Sequence, residues 1–268
     1  MKKLIALITI VCCLYACNNT DTKKQASDSA NASEQYLKTF AQQVSASPDS
    51  VGLRLQYAFA LDSLNKYKEA LQQINMLTSK DSNNYGLWFA QGNIAEDAQD
   101  TQLAIKSYAK AAHIYEAPDA LLALANLYAE QKNDRAILLC SRVKELGLGR
   151  DYDANCAFII GIYYARTHDM NNALKYFDEC IAYSYTYMEA YIEKGLLYFD
   201  AKQYDKALQV FQMASTVNNL YADAYYYQAR CYEMMNKKDS AVMFFKQSLQ
   251  IDPTMKEAHE HLKKLGGE

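Results

Sequence analysis

Small residues recur along this sequence at intervals of 34 positions. The interval is 34 from Ala58 to Gly92, 69 from Gly92 to Gly161, and 34 again to Gly195 and then to Ala229. Two further series, one of alanines and one mainly of aromatic residues, keep this spacing with a slip of two or three positions near the middle of the chain. Their members are Ala70, Ala104, Ala136, Ala173, Ala207 and Ala241, and Phe40, Ile74, Tyr108, Cys140, Phe177, Phe211 and Phe245. Three series in one register predict stacked copies of a single supersecondary unit.

The scarcity of glycine and proline narrows the fold class. The chain has 268 residues but only 9 Gly and 3 Pro, whereas average usage would give roughly 19 and 13. A β-sandwich or barrel needs a turn every ~8–12 residues and would use more of both. A nucleotide-binding fold would show a Gly-rich loop, and the sequence has none. The composition therefore predicts an all-α protein whose turns are made without Gly or Pro.

The residues at the repeating positions resemble those of a known family. Trp88 and Gly92 match the first helix of the tetratricopeptide repeat, a 34-residue helix–turn–helix unit, and Ala104, Tyr108 and Ala111 match its second helix. Two later units match more fully, through Gly195, Tyr198, Ala207, Phe211 and Ala214, and through Ala229, Tyr232, Ala241, Phe245 and Pro253. The resemblance implies an α-solenoid of stacked repeats in a right-handed superhelix.

The repeat register gives the domain organisation. We expect six repeats over 51–255, preceded by the helix of a leading half-repeat at 33–48 and followed by a C-terminal capping helix at 256–268. The six units are 51–84, 85–118, 119–153, 154–187, 188–221 and 222–255. The third departs most from the pattern, because its turn near Lys132 looks one residue short and the loop at 146–150 is correspondingly long.

The first residues resemble an export signal. Two lysines precede an uncharged run, Leu4 to Tyr15, which is shorter than the ~20 residues that span a bilayer. Leu14-Tyr15-Ala16-Cys17 resembles the lipobox of bacterial lipoproteins. The resemblance implies a signal peptide at 1–16, cleavage before Cys17 and lipid attachment to that residue; a buried core helix is the alternative. Residues 17–32 are polar and small, which predicts a flexible tether.

Charge limits the classes of partner. The full chain has 28 Lys and Arg against 31 Asp and Glu. Removal of the signal peptide takes away Lys2 and Lys3 and changes the net charge from −3 to about −5. This balance argues against nucleic acid or anionic lipid as the main partner. We expect lipid to hold the protein at the outer membrane facing the periplasm, with exposure at the cell surface left open.

The cysteines and histidines do not form recognisable catalytic or metal-binding motifs. Four cysteines beyond Cys17 lack metal-ligand spacing, and we expect them to be buried apolar residues: Cys140, Cys156, Cys180 and Cys231. A disulfide between Cys156 and Cys180 stays open, although repeat geometry does not favour it. No nucleophile elbow, metalloprotease motif or phosphate-binding loop is present in the sequence. We therefore expect no enzymatic activity, cofactor or metal.

The resemblance also implies where a partner binds. In this family the first helix of each repeat lines the concave surface, and its inward positions carry over to Leu55, Phe59, Phe89, Asn93, Phe158, Ile162, Arg166, Ile192, Leu196, Phe199, Tyr226 and Arg230. This groove is apolar and aromatic. Seven acids occupy further inward positions, against the two arginines: Asp62, Glu96, Asp97, Glu189, Asp200, Asp223 and Glu233. Such a groove suits an amphipathic, basic protein or peptide segment. The leading helix or a second subunit in a homo-oligomer are alternative occupants.

Together these features predict a lipid-anchored scaffold that binds a protein or peptide and acts in the assembly of envelope or outer-membrane complexes. The alternative is a glycan-binding lipoprotein, because sugars stack on aromatic rings. Two tyrosine clusters motivate that alternative, Tyr183, Tyr185 and Tyr187, and Tyr225, Tyr226 and Tyr227.

Overall fold

The computed structural model describes residues 34–267, which are helical throughout and contain no strand. The predicted signal peptide at 1–16, the lipidated Cys17 and the tether at 17–32 lie outside these residues. The described part of the chain forms two compact units that divide after Ser82. No helix within 34–267 has the length and apolar character needed to cross a membrane.

The first unit contains three helices, α1 at 34–46, α2 at Val51–Ser63 and α3 at Tyr67–Lys80. The ring of Phe40 on α1 stacks on that of Tyr57 on α2, with the ring centroids 6.4 Å apart. The Arg54 guanidinium on α2 donates to the Gln73 side chain on α3 at 2.8 Å. The leading helix therefore packs as the second half of a hairpin would.

The second unit consists of five helical hairpins and a final helix. In each hairpin we call the first helix the A helix and the second the B helix. The A helices are α4 (Tyr85–Asp97), α6 (Pro118–Glu130), α8 (Arg150–Arg166), α10 (Met188–Asp200) and α12 (Ala222–Met234). The B helices are α5 (Thr101–Ile114), α7 (Arg135–Glu145), α9 (Met170–Tyr183), α11 (Tyr204–Val217) and α13 (Lys238–Ile251), and α14 (Lys256–Lys264) follows.

The hairpin turns use left-handed backbone conformations at residues other than glycine. The residue two places beyond the end of α2 and of each A helix has a φ between 58° and 65°: Asn65, Gln99, Lys132, His168, Lys202 and Asn236. At this position the N–H donates back to the last turn of the A helix, as Gln99 does to the Glu96 carbonyl at 2.8 Å. The next residue can cap the B helix, as Asp100 does by accepting from the Leu103 N–H at 3.0 Å. These polar turns explain the low glycine content.

A ring from the B helix fills the space beside a glycine of the A helix. Tyr108 lies against Gly92, Phe177 against Gly161 and Phe211 against Gly195, and a Cβ on any of these glycines would come closer than 3.0 Å to the ring. All three rings are essentially closed to solvent. The repeating small residues therefore mark the closest approach of the two helices in a hairpin.

The third hairpin departs from this pattern. Its B helix, α7, is only 11 residues long, and Cys140 occupies the position that carries an aromatic ring in the other hairpins of the unit. The next A helix, α8, begins at Arg150 rather than at 154, because Gly149 adopts a φ of 101° that lets the chain turn directly into the helix. Residues 150–153 thus extend α8 to 17 residues.

Helix α14 closes the end of the second unit. Ala258 and Leu262 are buried in a cluster with Phe245, while the polar side chains of α14 lie on its other side. The His261 ring stacks on Phe245 with the ring centroids 5.3 Å apart. A polar outer face on the last helix keeps the apolar surface of the final repeat from water.

The glycine–ring contact can be tested with Gly195→Ala. The added methyl group meets the Phe211 ring, and overpacking of this kind costs about 1–3 kcal/mol against the ~1 kcal/mol that Ala gains over Gly in a helix. We expect a net loss of up to about 2 kcal/mol in the free energy of unfolding, measured by urea denaturation. Gly86→Ala is the control, since its methyl group would make only an ordinary contact; equal stability of the two variants would contradict this packing.

Candidate functional site

Charge is distributed unevenly between the two sets of helices in the second unit. The five A helices carry eleven Asp or Glu against four Lys or Arg. The five B helices carry nine Lys or Arg against five Asp or Glu. The A helices therefore form an acidic surface, which we call the A-helix surface, and the B helices form a basic one.

Arg166, one of the two arginines predicted to line the groove, is neutralised by the protein itself. Its guanidinium donates to both carboxylate oxygens of Glu130 on α6, at 2.8 and 3.1 Å. It also lies 3.3 Å from Glu193 on α10. The hydrogen bonds from Arg166 to Glu130 are the main reason why the pKa of this guanidinium is raised. One arginine thus holds three successive A helices together.

Arg230, the second predicted groove arginine, is also held within the protein. Its guanidinium lies 3.2 Å from the Glu233 carboxylate and 5.6 Å from the centre of the Phe199 ring. It donates a hydrogen bond to the Tyr226 hydroxyl at 3.1 Å. Because both arginines have internal acidic partners, the A-helix surface keeps an excess of carboxylates. Within residues 34–267, Asp97, Glu189, Asp200 and Asp223 make no ion pair.

The apolar residues predicted for the groove are mostly half-buried. Phe89 stacks on Tyr85 with the ring centroids 5.8 Å apart, and Phe158 packs on Phe177 at 5.9 Å and on Tyr187 at 5.0 Å. Their contacts show that they serve packing within the hairpins while leaving one side accessible. Ile192, Leu196 and Phe199 are likewise half-buried and pack on the cluster around Phe211.

The remaining predicted residues differ in how they are placed. Asn93 is exposed, and its side-chain oxygen accepts from the Tyr108 hydroxyl at 2.7 Å. Ile162 and Tyr226 are buried, with exposed fractions of 2% and 8%. The Tyr226 ring is covered by Phe245 and by the capping helix, so it offers a partner little area. The position of Tyr226 in its repeat could not predict this burial, because the capping helix that contributes to it follows the repeats.

Leu55 and Phe59 belong to the first unit. Leu55 is half-buried, whereas Phe59 is 42% exposed. Phe59 lines a shallow cavity of about 460 Å³ together with Tyr36 and Phe40 of the leading helix. Within this unit the leading helix therefore covers part of the predicted apolar groove.

A cavity of about 510 Å³ lies at the ends of α8 and α10. Met170, Leu196 and Leu197 supply apolar walls, and Arg166 and Glu193 border it with their ion pair. Three further polar side chains lie at its rim, Lys132, His168 and Asp200. Because the lining combines apolar and polar residues, the cavity suits a partner's side chain whose body is apolar.

A smaller cavity of about 300 Å³ lies between α12 and the start of α14. Asp223, Tyr226, Tyr227, Met255 and Glu257 line it, so that two carboxylates and two phenol rings meet in one place. We call it the acidic pocket. The sequence did not predict it, because Glu257 comes from the capping helix, outside the six repeats.

Carboxylates in and near the acidic pocket repel each other. Burial raises the pKa of Asp223, and the nearby charges of Asp252, Glu189 and Glu257 raise it further, although Tyr221 donates a hydrogen bond to the carboxylate. Burial and the same Asp223 charge raise the pKa of Tyr221 to about 12. A cation placed here would relieve the repulsion, and the face of the Tyr227 ring would add a cation–π contact.

The tyrosine clusters that suggested glycan binding are spread among different contacts. Tyr187 packs on Phe158, Tyr227 stacks on Phe211 at 5.1 Å, and Tyr226 is buried. Of the six tyrosines only Tyr185 is mainly exposed. The clusters therefore do not offer an open platform of parallel rings.

Comparison with known proteins identifies the repeats. Two tetratricopeptide repeat models match residues 160–218 and 223–254. These two segments of the chain carry tetratricopeptide repeats. No curated protein sequence matches it. The matched residues include Gly161, Phe177, Gly195 and Phe211, which make the helix contacts described above. Tetratricopeptide repeats bind protein or peptide partners, and the chain has the fold of such an interaction scaffold.

Solved structures share the fold at low sequence identity. A tetratricopeptide repeat protein from Parabacteroides merdae ATCC 43184 superposes with a TM-score of 0.71 at 15% identity, covering 91% of this chain and 96% of the other. PilW, a type IV pilus biogenesis factor, gives 0.63 at 16%, covering 79% and 97%. Yeast Tom70 gives 0.57 at 16%, covering 88% of this chain and 58% of its own. At these identities the likeness shows an all-α helical repeat solenoid.

The repulsion at Asp223 has a consequence for stability. Because the pKa of Asp223 is raised on folding, its ionisation destabilises the folded state above the unfolded-state pKa of ~3.9. We expect Asp223→Asn to raise the free energy of unfolding at pH 7, and the gain to vanish below about pH 4, where the acid is protonated in both states. Urea denaturation at the two pH values measures this.

Asp169→Asn is the matched control for this effect. Hydrogen bonds from Asn172 lower the pKa of Asp169, so its ionisation favours folding. The same substitution there should not stabilise the protein at pH 7. A loss of stability in Asp223→Asn at pH 7 would contradict the assignment.

Proposed function

We propose that the protein is a scaffold whose A-helix surface binds a basic, amphipathic segment of a protein partner. The observation that carries this is the excess of carboxylates on the A helices after Arg166 and Arg230 have taken internal acidic partners. An acidic surface speeds the association of a basic partner and disfavours acidic competitors.

The acidic pocket and the cavity at the ends of α8 and α10 indicate how such a segment is recognised. The acidic pocket takes a Lys or Arg side chain, which pairs with Asp223 and Glu257 and lies against the Tyr227 ring. The cavity at the ends of α8 and α10 takes an apolar side chain against Met170 and Leu196. The half-buried rings between them supply further apolar contact. Binding through a few such anchors is common at protein interfaces.

The resemblance of the first residues to an export signal and a lipobox supports the further proposal that this scaffold works in the bacterial envelope. Lipid on Cys17 would hold it at the outer membrane, with residues 18–32 as a tether and the repeats facing the periplasm. Several acyl chains give nearly permanent attachment, because each buried CH₂ contributes ~0.8 kcal/mol. A membrane-held scaffold of this kind serves the assembly of envelope complexes.

Reversing the charge of the A-helix surface should weaken partner capture. Asp200 and Glu257 are exposed, and each exposed ion pair contributes up to about 1 kcal/mol. We therefore expect Asp200→Lys combined with Glu257→Lys to lower capture about tenfold or more. The measurement is chemical cross-linking of the membrane-held protein, followed by mass spectrometry of what is captured.

The control for charge reversal lies on two B helices. Glu145→Lys on α7 combined with Asp239→Lys on α13 makes the same change of charge at two exposed positions of the B helices. It should leave capture as in the unchanged protein. Equal capture by the variant at Asp200 and Glu257 and by this control would contradict the proposed surface, as would capture of a second copy of the chain alone.

The lipid anchor has its own test. Cys17→Ala should abolish incorporation of labelled palmitate and release the protein from the membrane fraction, because the acylated atoms are lost. Cys13→Ala is the control and should keep the label, since Cys13 precedes the cleavage point. Persistent labelling of Cys17→Ala would refute the anchor without affecting the proposed binding surface.

A further inference from the structure

Two of the four buried cysteines are in direct contact. The Cys156 thiol on α8 donates to the Cys140 backbone carbonyl on α7 at 3.4 Å. The two thiols also lie close enough to shift each other's pKa. Neither residue is exposed to solvent. The Cys180 thiol has its hydrogen bond with the backbone of Phe158 instead, so the contact joins a different pair from the Cys156–Cys180 pair considered from sequence.

The contact arises from the irregular third hairpin. In the other hairpins of this unit the position of Cys140 carries Tyr108, Phe177, Phe211 or Phe245, whose rings fill the space beside the A helix. A thiol is much smaller than these rings. The next A helix can therefore approach α7 closely enough for a side-chain sulfur to reach a backbone carbonyl.

The electrostatics of the pair favour one thiolate. The pKa of Cys140 is raised because its thiol donates to Cys156 and because it is buried. The pKa of Cys156 is lowered because it accepts that hydrogen bond, and the charge of Lys144 lowers it further. Both shifts belong to the packed junction, so they describe the pair once α7 and α8 are together and do not decide which thiol first meets an oxidant.

We propose that Cys140 and Cys156 form an intrachain disulfide that links α7 to α8. The oxidant is an organic disulfide. One of the two cysteines, as its thiolate, attacks one sulfur of the oxidant, a mixed disulfide forms, and the other sulfur leaves as a thiolate. The other cysteine then loses its proton and attacks the sulfur of the first cysteine, expelling the second thiolate. The two cysteine thiols are oxidised, and one oxidant disulfide is reduced to two thiols.

The burial of both sulfurs sets when the reaction occurs. An oxidant reaches them while α7 and α8 are apart, either as the chain folds or when this junction opens locally. The junction has features of a weak point, because α7 is only 11 residues long and a loop follows it directly. The disulfide joins the two helices across the loop at 146–149 and reduces the freedom of the unfolded chain there.

The experiment is refolding of the full chain in a redox buffer. The reduced, denatured protein is refolded with a mixture of reduced and oxidised glutathione, free thiols are alkylated, and the product is digested with trypsin. Each of the four cysteines falls on a separate tryptic peptide, and Cys140 and Cys156 lie on 136–142 and 151–166. We expect these two peptides to be joined, and Cys180 and Cys231 to be alkylated.

Variants separate this pair from chance oxidation. Cys140→Ala should leave Cys156 alkylated, whereas Cys180→Ala should leave the joined peptide unchanged. The oxidised protein should also keep its helical circular dichroism and unfold at a higher temperature than the reduced protein. Alkylation of both Cys140 and Cys156 after refolding would overturn the proposal, as would a joined peptide that appears only in protein without helical structure.

Discussion

The contact between a small residue on one helix and a ring on the next underlies the whole structure. Where Gly92, Gly161 and Gly195 lack a side chain, the A helix comes close enough for the ring of the B helix to fill the remaining space. Burial of an aromatic side chain contributes about 1.5–3 kcal/mol, and three of the five hairpins in the second unit make this contact at a glycine. A single hairpin cannot bury its apolar side alone, so the repeats must stack.

This packing determines which surfaces can carry function. The rings and small residues are buried within the hairpins. The exposed side of the A helices can therefore carry charged side chains. Arg166 illustrates the consequence, because it joins Glu130 and Glu193 from the neighbouring A helices and so stabilises the stack instead of offering positive charge to a partner. The carboxylates without such partners, among them Asp200 and Asp223, give the surface its acidic character.

The fold could be predicted from the sequence, because six units share a 34-residue period and an irregular unit does not hide the period in the others. The prediction was less accurate wherever the period fails. The start of α8 at Arg150 depends on the conformation of Gly149, and the burial of Tyr226 depends on a helix that follows the repeats. The contact between Cys140 and Cys156 likewise follows from a ring missing in one hairpin, which spacing alone does not reveal.

The central claim is that the A-helix surface is where the partner binds, and site-specific photo-cross-linking in cells tests it most directly. A photoreactive residue would replace Asn93 or Asp200 on the A helices, or Leu138 or Met213 on the B helices; all four positions are exposed. The account predicts adducts with one basic protein from positions 93 and 200 and none from 138 or 213. Adducts from the B-helix positions alone would contradict it.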